Sequence, residues 1–151
     1  MEKSRLNIIH RVPGTVGSVF KRFNEDLFKR LTPAFPPAKL LRYDGNSPGD
    51  LVVIRLGIWP LYQRWVSEIT EHVEGVDASY FVDVGRKLPF PLTSWRHKHI
   101  IRKGGGGEVE IVEDIQFAAK TAFMTRIMRP IIRAQFEARG PKYLAFFTDA
   151  T

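Results

Sequence analysis

Residues 81–99, FVDVGRKLPFPLTSWRHKH, close on a run in which Trp95, His97 and His99 alternate with Arg96 and Lys98. Successive side chains of a strand point to opposite faces, so positions 95, 97, 99 and 101 share one face. Arg96, Lys98 and Arg102 take the other, which reads as the wet one. That leaves a tryptophan and two histidines on the dry face. A polar group buried without a partner costs about 1–3 kcal/mol. The two imidazoles therefore call for partners, and the pattern reads as a polar site set into a sheet.

The turn that follows carries the row to a second strand. Residues 104–107 are all glycine, which suits a hairpin turn. No G-x-x-x-x-G-K-[ST] phosphate loop surrounds them, and no Ser-His-Asp nucleophile elbow occurs in the chain. Cross-strand neighbours share a face, so the hairpin sets Glu113 opposite either His97 or His99, according to register. Val109, Ile111, Ile115 and Phe117 fall on the same face, which makes Glu113 the lone acid in an apolar row. A carboxylate buried beside an imidazole stays ionised by protonating it, or else its own pKa rises. The expectation is a Glu113–histidine pair. Two readings stand side by side: a satisfied polar plug bracing the sheet with Trp95, or a site where His97, His99 or Glu113 acts as hydrogen-bond donor or general acid/base toward a molecule in a cavity. An H-x-H strand with an acid nearby also offers the ligand types of zinc or iron.

Upstream, Leu6, Ile8 and His10 alternate with Asn7, Ile9 and Arg11, a first strand ending at Pro13-Gly14. Apolar residues at 16, 19, 20, 23, 27, 28 and 31 give one helical face, split into two short helices near Asn24. Pro33, Pro36 and Pro37 end it. Residues 39–117 read as about six strands with short turns: 40–43, 51–58, 63–73, 79–84, 94–103 and 108–117. The cluster at 44–49, DGNSPG, is the plainest of those turns. The end is helical, with Phe123, Ile127, Ile131, Ala134 and Ala138 at spacings of three and four and Arg126, Arg129 and Arg133 mostly elsewhere on the cylinder. Pro130 should kink this helix, Gly140-Pro141 should break it, and residues 143–147 should form a final turn.

Trp59, Trp65, Phe81, Phe90 and Phe123 are candidates to line an aromatic pocket, against the plain alternative that they are core. Arg55 would clamp a ligand carboxylate if it faced inward. If the apolar row Val52, Ile54, Leu56 and Ile58 faces inward instead, Arg55 is merely solvated, and the four-residue row favours that reading.

The chain has 151 residues, enough for one domain over residues 1–151 that buries roughly 68–70% of its unfolded surface. It contains no cysteine, so disulfide, thiolate-metal and thiol chemistry are excluded. The first twelve residues, MEKSRLNIIHRV, hold no apolar run of signal-peptide length. Nothing approaches the ~20 apolar residues of a membrane span. The expected compartment is the cytoplasm. Lys and Arg number 23 against 16 Asp and Glu, a net charge of +7. The positive residues are spread from Lys3 to Lys142, with no RNA-binding aromatic motif and no zinc-knuckle spacing, so no nucleic-acid partner is expected.

One strand, two short helices, a long antiparallel run and a long closing helix make an α+β chain. Nearly the whole chain resembles the SRPBCC, or START-like, superfamily, the helix-grip fold of plant allergens, lipid-transfer domains and polyketide cyclases. The nearest likeness is to its bacterial ligand-binding or cyclase/dehydrase-like group. Phe23-Asn24 with Leu27 and Thr32-Pro33, Trp65 with Ile69, and Glu113, Ile115 and Phe117 carry the likeness, as does Arg139. The most specific part is the block F-x-D…P…W-x-H-x-H at Phe81, Asp83, Pro89, Trp95, His97 and His99. Glu113 stands where aspartate is commoner, and Pro130 and Gly140-Pro141 interrupt the last helix.

The resemblance implies an antiparallel sheet of six to seven strands wrapped around a long C-terminal helix, with an apolar cavity between them. It implies no metal and no cofactor, and it fixes no reaction. The expectation is a small, largely hydrophobic ligand (lipid, aromatic or polyketide-like) in that cavity. Trp95, His97, His99 and Glu113 form its polar end, and Trp65, Phe81, Phe90 and Phe123 its walls. The alternative is a cyclase- or dehydratase-type enzyme with a cavity histidine as general acid/base. Oligomeric state is left open.

Overall fold

The computed structural model of the chain describes residues 3–32 and 37–148. The alternation at residues 4–13 forms β1 (Ser4–Pro13), with its even positions buried and its odd positions exposed. Two short helices follow, α1 (Val16–Lys21) and α2 (Glu25–Leu31). They divide where the sequence places the split: the Asn24 side chain accepts from the Leu27 amide and caps α2. The α2 helix ends at Leu31. Pro33 and Pro36, expected to end it together with Pro37, lie outside the described residues.

Six more strands run β2 (Ala38–Tyr43), β3 (Leu51–Leu56), β4 (Gln63–Val73), β5 (Ala78–Lys87), β6 (Leu92–Lys103) and β7 (Glu108–Ala119). With β1 they form one antiparallel sheet in the order β1-β7-β6-β5-β4-β3-β2. The β6–β7 turn uses Gly106 and Gly107 at φ 60° and 78°, a region where a side chain would be strained. The chain closes with α3 (Ala122–Glu137) and α4 (Arg139–Thr148). This is the expected α+β helix-grip arrangement, a seven-stranded sheet with a long C-terminal helical arm.

That arm differs from expectation in two ways. Its break falls at Ala138, and Gly140 and Pro141 sit inside the first turn of α4, where helix amides have no intrahelical partner and a missing N–H costs little. Residues 143–147, expected as a final turn, belong to this ten-residue helix. Second, the stripe Phe123, Ile127 and Ile131 points out to solvent, while Thr125, Ile132 and Phe136 are buried. The rotation is set by Thr125, whose hydroxyl accepts from the Ala119 amide at 2.9 Å and donates to the Thr121 carbonyl at 2.9 Å. Pro130 lies within α3, as expected, and the helix continues through it.

The core has two parts. Phe20, Phe23, Phe81, Tyr143, Phe146 and Phe147 pack α1, α2 and α4 against the sheet. Trp95, Phe117, Ile132 and Phe136 join α3 to β6 and β7. Between α3 and strands β3–β6 the packing opens into a cavity.

Candidate functional site

Three neighbouring strands bring the polar residues together. Asp83 on β5 faces His97 on β6, Phe81 faces His99, and His99 faces Glu113 on β7. The hairpin register is therefore the one that opposes Glu113 to His99. The closer imidazole to Glu113 is nonetheless that of His97, with Nε2 at 3.3 Å from Oε1, while Nδ1 of His99 stands at 3.9 Å. The two ring centroids are 3.6 Å apart, with the planes tilted by 31°. Phe81 lies flat against His99 at 4.2 Å, and Phe136 meets His97 edge-on at 5.1 Å.

The last helix supplies what the strand pattern does not reveal. Arg139 Nη1 donates to Glu113 Oε2 at 2.9 Å, and the Tyr143 hydroxyl donates to the same carboxylate at 3.3 Å. These residues are one helical turn apart, so a single face of α4 clamps the acid. His99 Nε2 donates to Asp83 Oδ2 at 2.6 Å, and His97 Nδ1 lies 3.7 Å from the same oxygen. His97 Nε2 and His99 Nδ1 have no partner in hydrogen-bond geometry among the described residues.

Burial sets the electrostatics, and charge decides between the two states. Burial alone would raise the Glu113 carboxyl, but the Arg139 guanidinium, followed by the two imidazoles, holds it well below the usual carboxylate range. Asp83 follows the same pattern: burial pushes it up, and the hydrogen bond and charge of His99 bring it below its ordinary value. His99 is driven down to about 4, by burial first and by the charge of His97 second. Burial, reinforced by Glu113, raises the Tyr143 hydroxyl, which stays a donor. At neutral pH the site thus holds a neutral His99 between two ionised carboxylates, with Arg139 behind them.

Asp83, His97 and His99 offer one carboxylate oxygen and two ring nitrogens within 4.8 Å of one another, a donor set that suits zinc or iron. Two of the three already satisfy each other, since Asp83 takes the His99 proton at 2.6 Å, while His97 Nδ1 stays 3.7 Å from the same carboxylate.

The cavity measures about 640 Å³, within the range of small-molecule sites. Asp83, His97, His99, Arg139 and Tyr143 form one polar patch of its wall. Most of the rest is apolar, including Leu27, Leu31, Ile54, Trp65, Ile69 and Ile132. Trp65 meets Trp95 edge-on at 4.7 Å, and its indole N–H donates to Ser67 at 3.0 Å. Gly85 leaves room for Leu88 and Trp95, because a Cβ there would come within 2.5 Å of Leu88 Cδ2 and 3.1 Å of the Trp95 Cβ.

Of the residues singled out in sequence, Trp65, Phe81, Trp95, His97 and His99 line this cavity. Phe90 lines it too but is 61% exposed, at the rim. Glu113 is fully buried and is not among the lining residues; it stands behind the wall and acts on it through His97 and Arg139. Phe123 is not a wall at all: it is 68% exposed, because the Thr125 anchor turns that face of α3 outward. Trp59 is likewise outside, at 75% exposure. Arg55 lies over the Tyr62 ring at 4.2 Å, and the alternate positions Val52, Ile54 and Leu56 line the cavity. Sequence reasoning missed Tyr143 and gave Asp83 and Arg139 no role. The i, i+4 spacing of Arg139 and Tyr143 was a usable signal, hidden by the expectation of a break between them.

No family model and no curated protein matches the chain. Solved structures do match it. It is similar to the Zhui aromatase/cyclase from Streptomyces sp. R1128, at 9% identity and a TM-score of 0.71 over 97% of this chain and 94% of that one. It is similar to truncated norcoclaurine synthase from Thalictrum flavum, at 12% identity and 0.68 over 99% and 96%. It is similar also to a START superfamily protein from Mycobacterium smegmatis, at 10% identity and 0.60 over 91% and 97%. The chain has the SRPBCC/START-like fold.

Proposed function

We propose that the protein binds a small, largely hydrophobic molecule (a lipid, an aromatic or a polyketide-like compound) in the cavity between the sheet and the C-terminal helices. The observation that carries this reading is the make-up of the cavity wall. Apolar side chains form most of it, and Asp83, His97, His99 and Arg139 stand together as one ionisable cluster, with uncharged polar groups such as Asn24, Asn46, Gln63 and Gln135 elsewhere on the lining. A ligand would lay its apolar body against Trp65, Ile54, Ile69 and Ile132 and turn a carbonyl or hydroxyl toward the His97–His99–Arg139 end. Glu113 would hold that end in register.

Native mass spectrometry of gently purified protein tests this directly. A bound adduct of lipid or aromatic mass is the expected result. A clean apo mass, together with no rise in melting temperature on adding fatty acids or aromatic polyketides at saturating concentration, would remove the reading.

A second reading, an enzyme of the cyclase or dehydratase type, is favoured by one observation. His99 is a neutral imidazole at the cavity wall, hydrogen-bonded to an ionised Asp83, the arrangement of a general base oriented by a carboxylate. The named activities of the aromatase/cyclase and the norcoclaurine synthase fit that chemistry. Here His99→Gln would abolish turnover of a bound aromatic substrate while leaving its binding intact. In the pure binding module the same substitution changes affinity only.

A further inference from the structure

Ile58, Trp59, Leu61 and Tyr62 stand at the β3–β4 loop, and all are exposed, Trp59 at 75% and Leu61 at 80%. Phe90 stands at the β5–β6 loop, and Phe123 on the first turn of α3. In an antiparallel sheet the ends of β3, β5 and β7 lie at one edge of the molecule, so these segments meet. Direct contacts join them: the Phe90 amide donates to Gln63 Oε1 at 2.7 Å, the Lys120 amide to the Pro91 carbonyl at 3.0 Å, and the Lys120 ammonium lies 5.1 Å from the Phe90 ring centre. Phe90, Gln63 and Leu56 also line the cavity, so the apolar edge is its rim. Soluble surfaces rarely gather large apolar side chains in this way without a partner.

The charge around the rim says what kind of partner. Near this edge, residues 54–67, 84–96 and 115–126 contain no aspartate or glutamate, yet they carry Arg55, Arg64, Lys87, Lys120 and Arg126. Arg55 and Arg64 are directly paired across β3 and β4, a like-charge placement that disfavours the sheet unless an anion sits between. With Lys87 and Tyr62 they border a second, shallower groove beside the loop. Arg55, Arg64, Lys87, Lys120 and Arg126 make no ion pair with a carboxylate among the described residues, whereas Arg5, Arg11, Arg42, Arg86, Arg96 and Arg102 all do. Asp44, Asp50, Glu74, Asp77, Glu108 and Glu110 lie at or beside the opposite turns, where they outnumber Arg42, Arg102 and Lys103.

We infer that this rim docks on the surface of an anionic lipid bilayer. Ile58, Trp59, Leu61 and Phe90 enter the boundary between headgroups and acyl chains, where aromatic and aliphatic side chains settle. Arg55, Arg64, Lys87 and Lys120 take the lipid phosphates, each basic residue near such a surface adding to the attraction. The separation of positive rim from negative turns orients the approach. Docking in this way sets the cavity mouth against the membrane. The inference rests on the outer surface and stands whatever the cavity holds.

The test is co-sedimentation of the full chain with vesicles of phosphatidylcholine alone and of phosphatidylcholine with phosphatidylglycerol. Binding to the mixed vesicles is expected to exceed binding to the neutral ones by at least about tenfold and to weaken as salt rises. Trp59→Asp with Leu61→Asp should abolish it, and Arg64→Glu with Lys87→Glu should cut it by about tenfold. All four side chains are exposed, so unchanged melting curves certify the fold of each variant. Equal binding to both vesicle types, or binding untouched by W59D/L61D, would overturn the inference. So would a concentration-dependent dimer lost in W59D/L61D without vesicle binding, or retention on heparin that those variants leave whole while vesicles fail to bind. A negative adduct search by mass spectrometry bears on the cavity alone and leaves this result unaffected.

Discussion

Glu113 is the residue on which the polar end turns. It is fully buried and is compensated by Arg139 at 2.9 Å. Removing one partner of a buried ion pair strands the other, at about 3–5 kcal/mol, whereas replacing both by apolar groups is far milder. Glu113→Leu and Arg139→Met should therefore each lower unfolding free energy in urea by about that amount, and the double variant should recover most of the loss. Acid should act on the same groups. The His99 value falls from 6.5 to about 4 on folding, so the unfolded chain binds the proton first. Its contribution is complete above pH 6.5 and is lost between there and about 4. His10, lowered by burial, works in the same direction, and Asp83 and Glu113, both depressed, extend the loss below their unfolded values of 3.8 and 4.5. Urea midpoints measured from pH 7.5 downward should hold and then drop, and His99→Phe should flatten the first part of the fall. Because Asp83 and His99 satisfy each other, EDTA should leave the melting temperature where it was; a drop of several degrees would reassign Asp83, His97 and His99 as a metal centre. The histidines and Glu113 were legible in the sequence because a period of two exposes a lone acid in an apolar row. Asp83 entered only as a motif letter, since strands read as 79–84 and 94–103 leave a gap too long to fix the register between them, where β5 and β6 in fact extend to Lys87 and from Leu92.

At the scale of elements, the strands were easier to read than the last helix. Alternation placed β4 at residues 63–73, as found, and Asn24 marked the division of α1 from α2. The α3 helix was misjudged in rotation because it is apolar on two stripes, Phe123–Ile127–Ile131 and Met128–Ile132–Phe136, and periodicity cannot choose between them. A single hydroxyl does. Thr125 ties α3 to the end of β7 through the Ala119 amide. Thr125→Val keeps the shape but leaves that buried amide unpaired, at about 1–3 kcal/mol. Chemical denaturation should show that loss. A variant as stable as the parent would mean that packing of Ile132 and Phe136 alone fixes the rotation. The extent of the last helix was misread for a related reason: Gly140-Pro141 resembles a stop, but at the start of α4 the same pair is compatible with a helix that begins there.

At the scale of the molecule, the sheet and the helical arm enclose a volume they do not themselves fill. About 640 Å³ of largely apolar space lies between α3 and the sheet. The surrounding side chains forgo there the dispersion contacts that a close-packed core supplies. A ligand that fits would restore them, and it binds the folded chain alone, so stability should depend on occupancy. Protein stripped on a hydrophobic resin should melt lower than protein as purified. At a hundredfold excess over the dissociation constant the ligand contributes about 2.7 kcal/mol, which for a chain of this size corresponds to roughly 5–10 °C. Adding back the extracted material should restore the difference, with the urea m-value nearly unchanged because the same chain surface is exposed on unfolding. A plugged variant supplies the control. Leu56 lines the cavity near its rim, and Leu56→Trp should close the mouth and make the melting temperature indifferent to stripping. If the parent protein is equally indifferent, the cavity is self-sufficient, and the polar cluster at its end is a brace of the sheet.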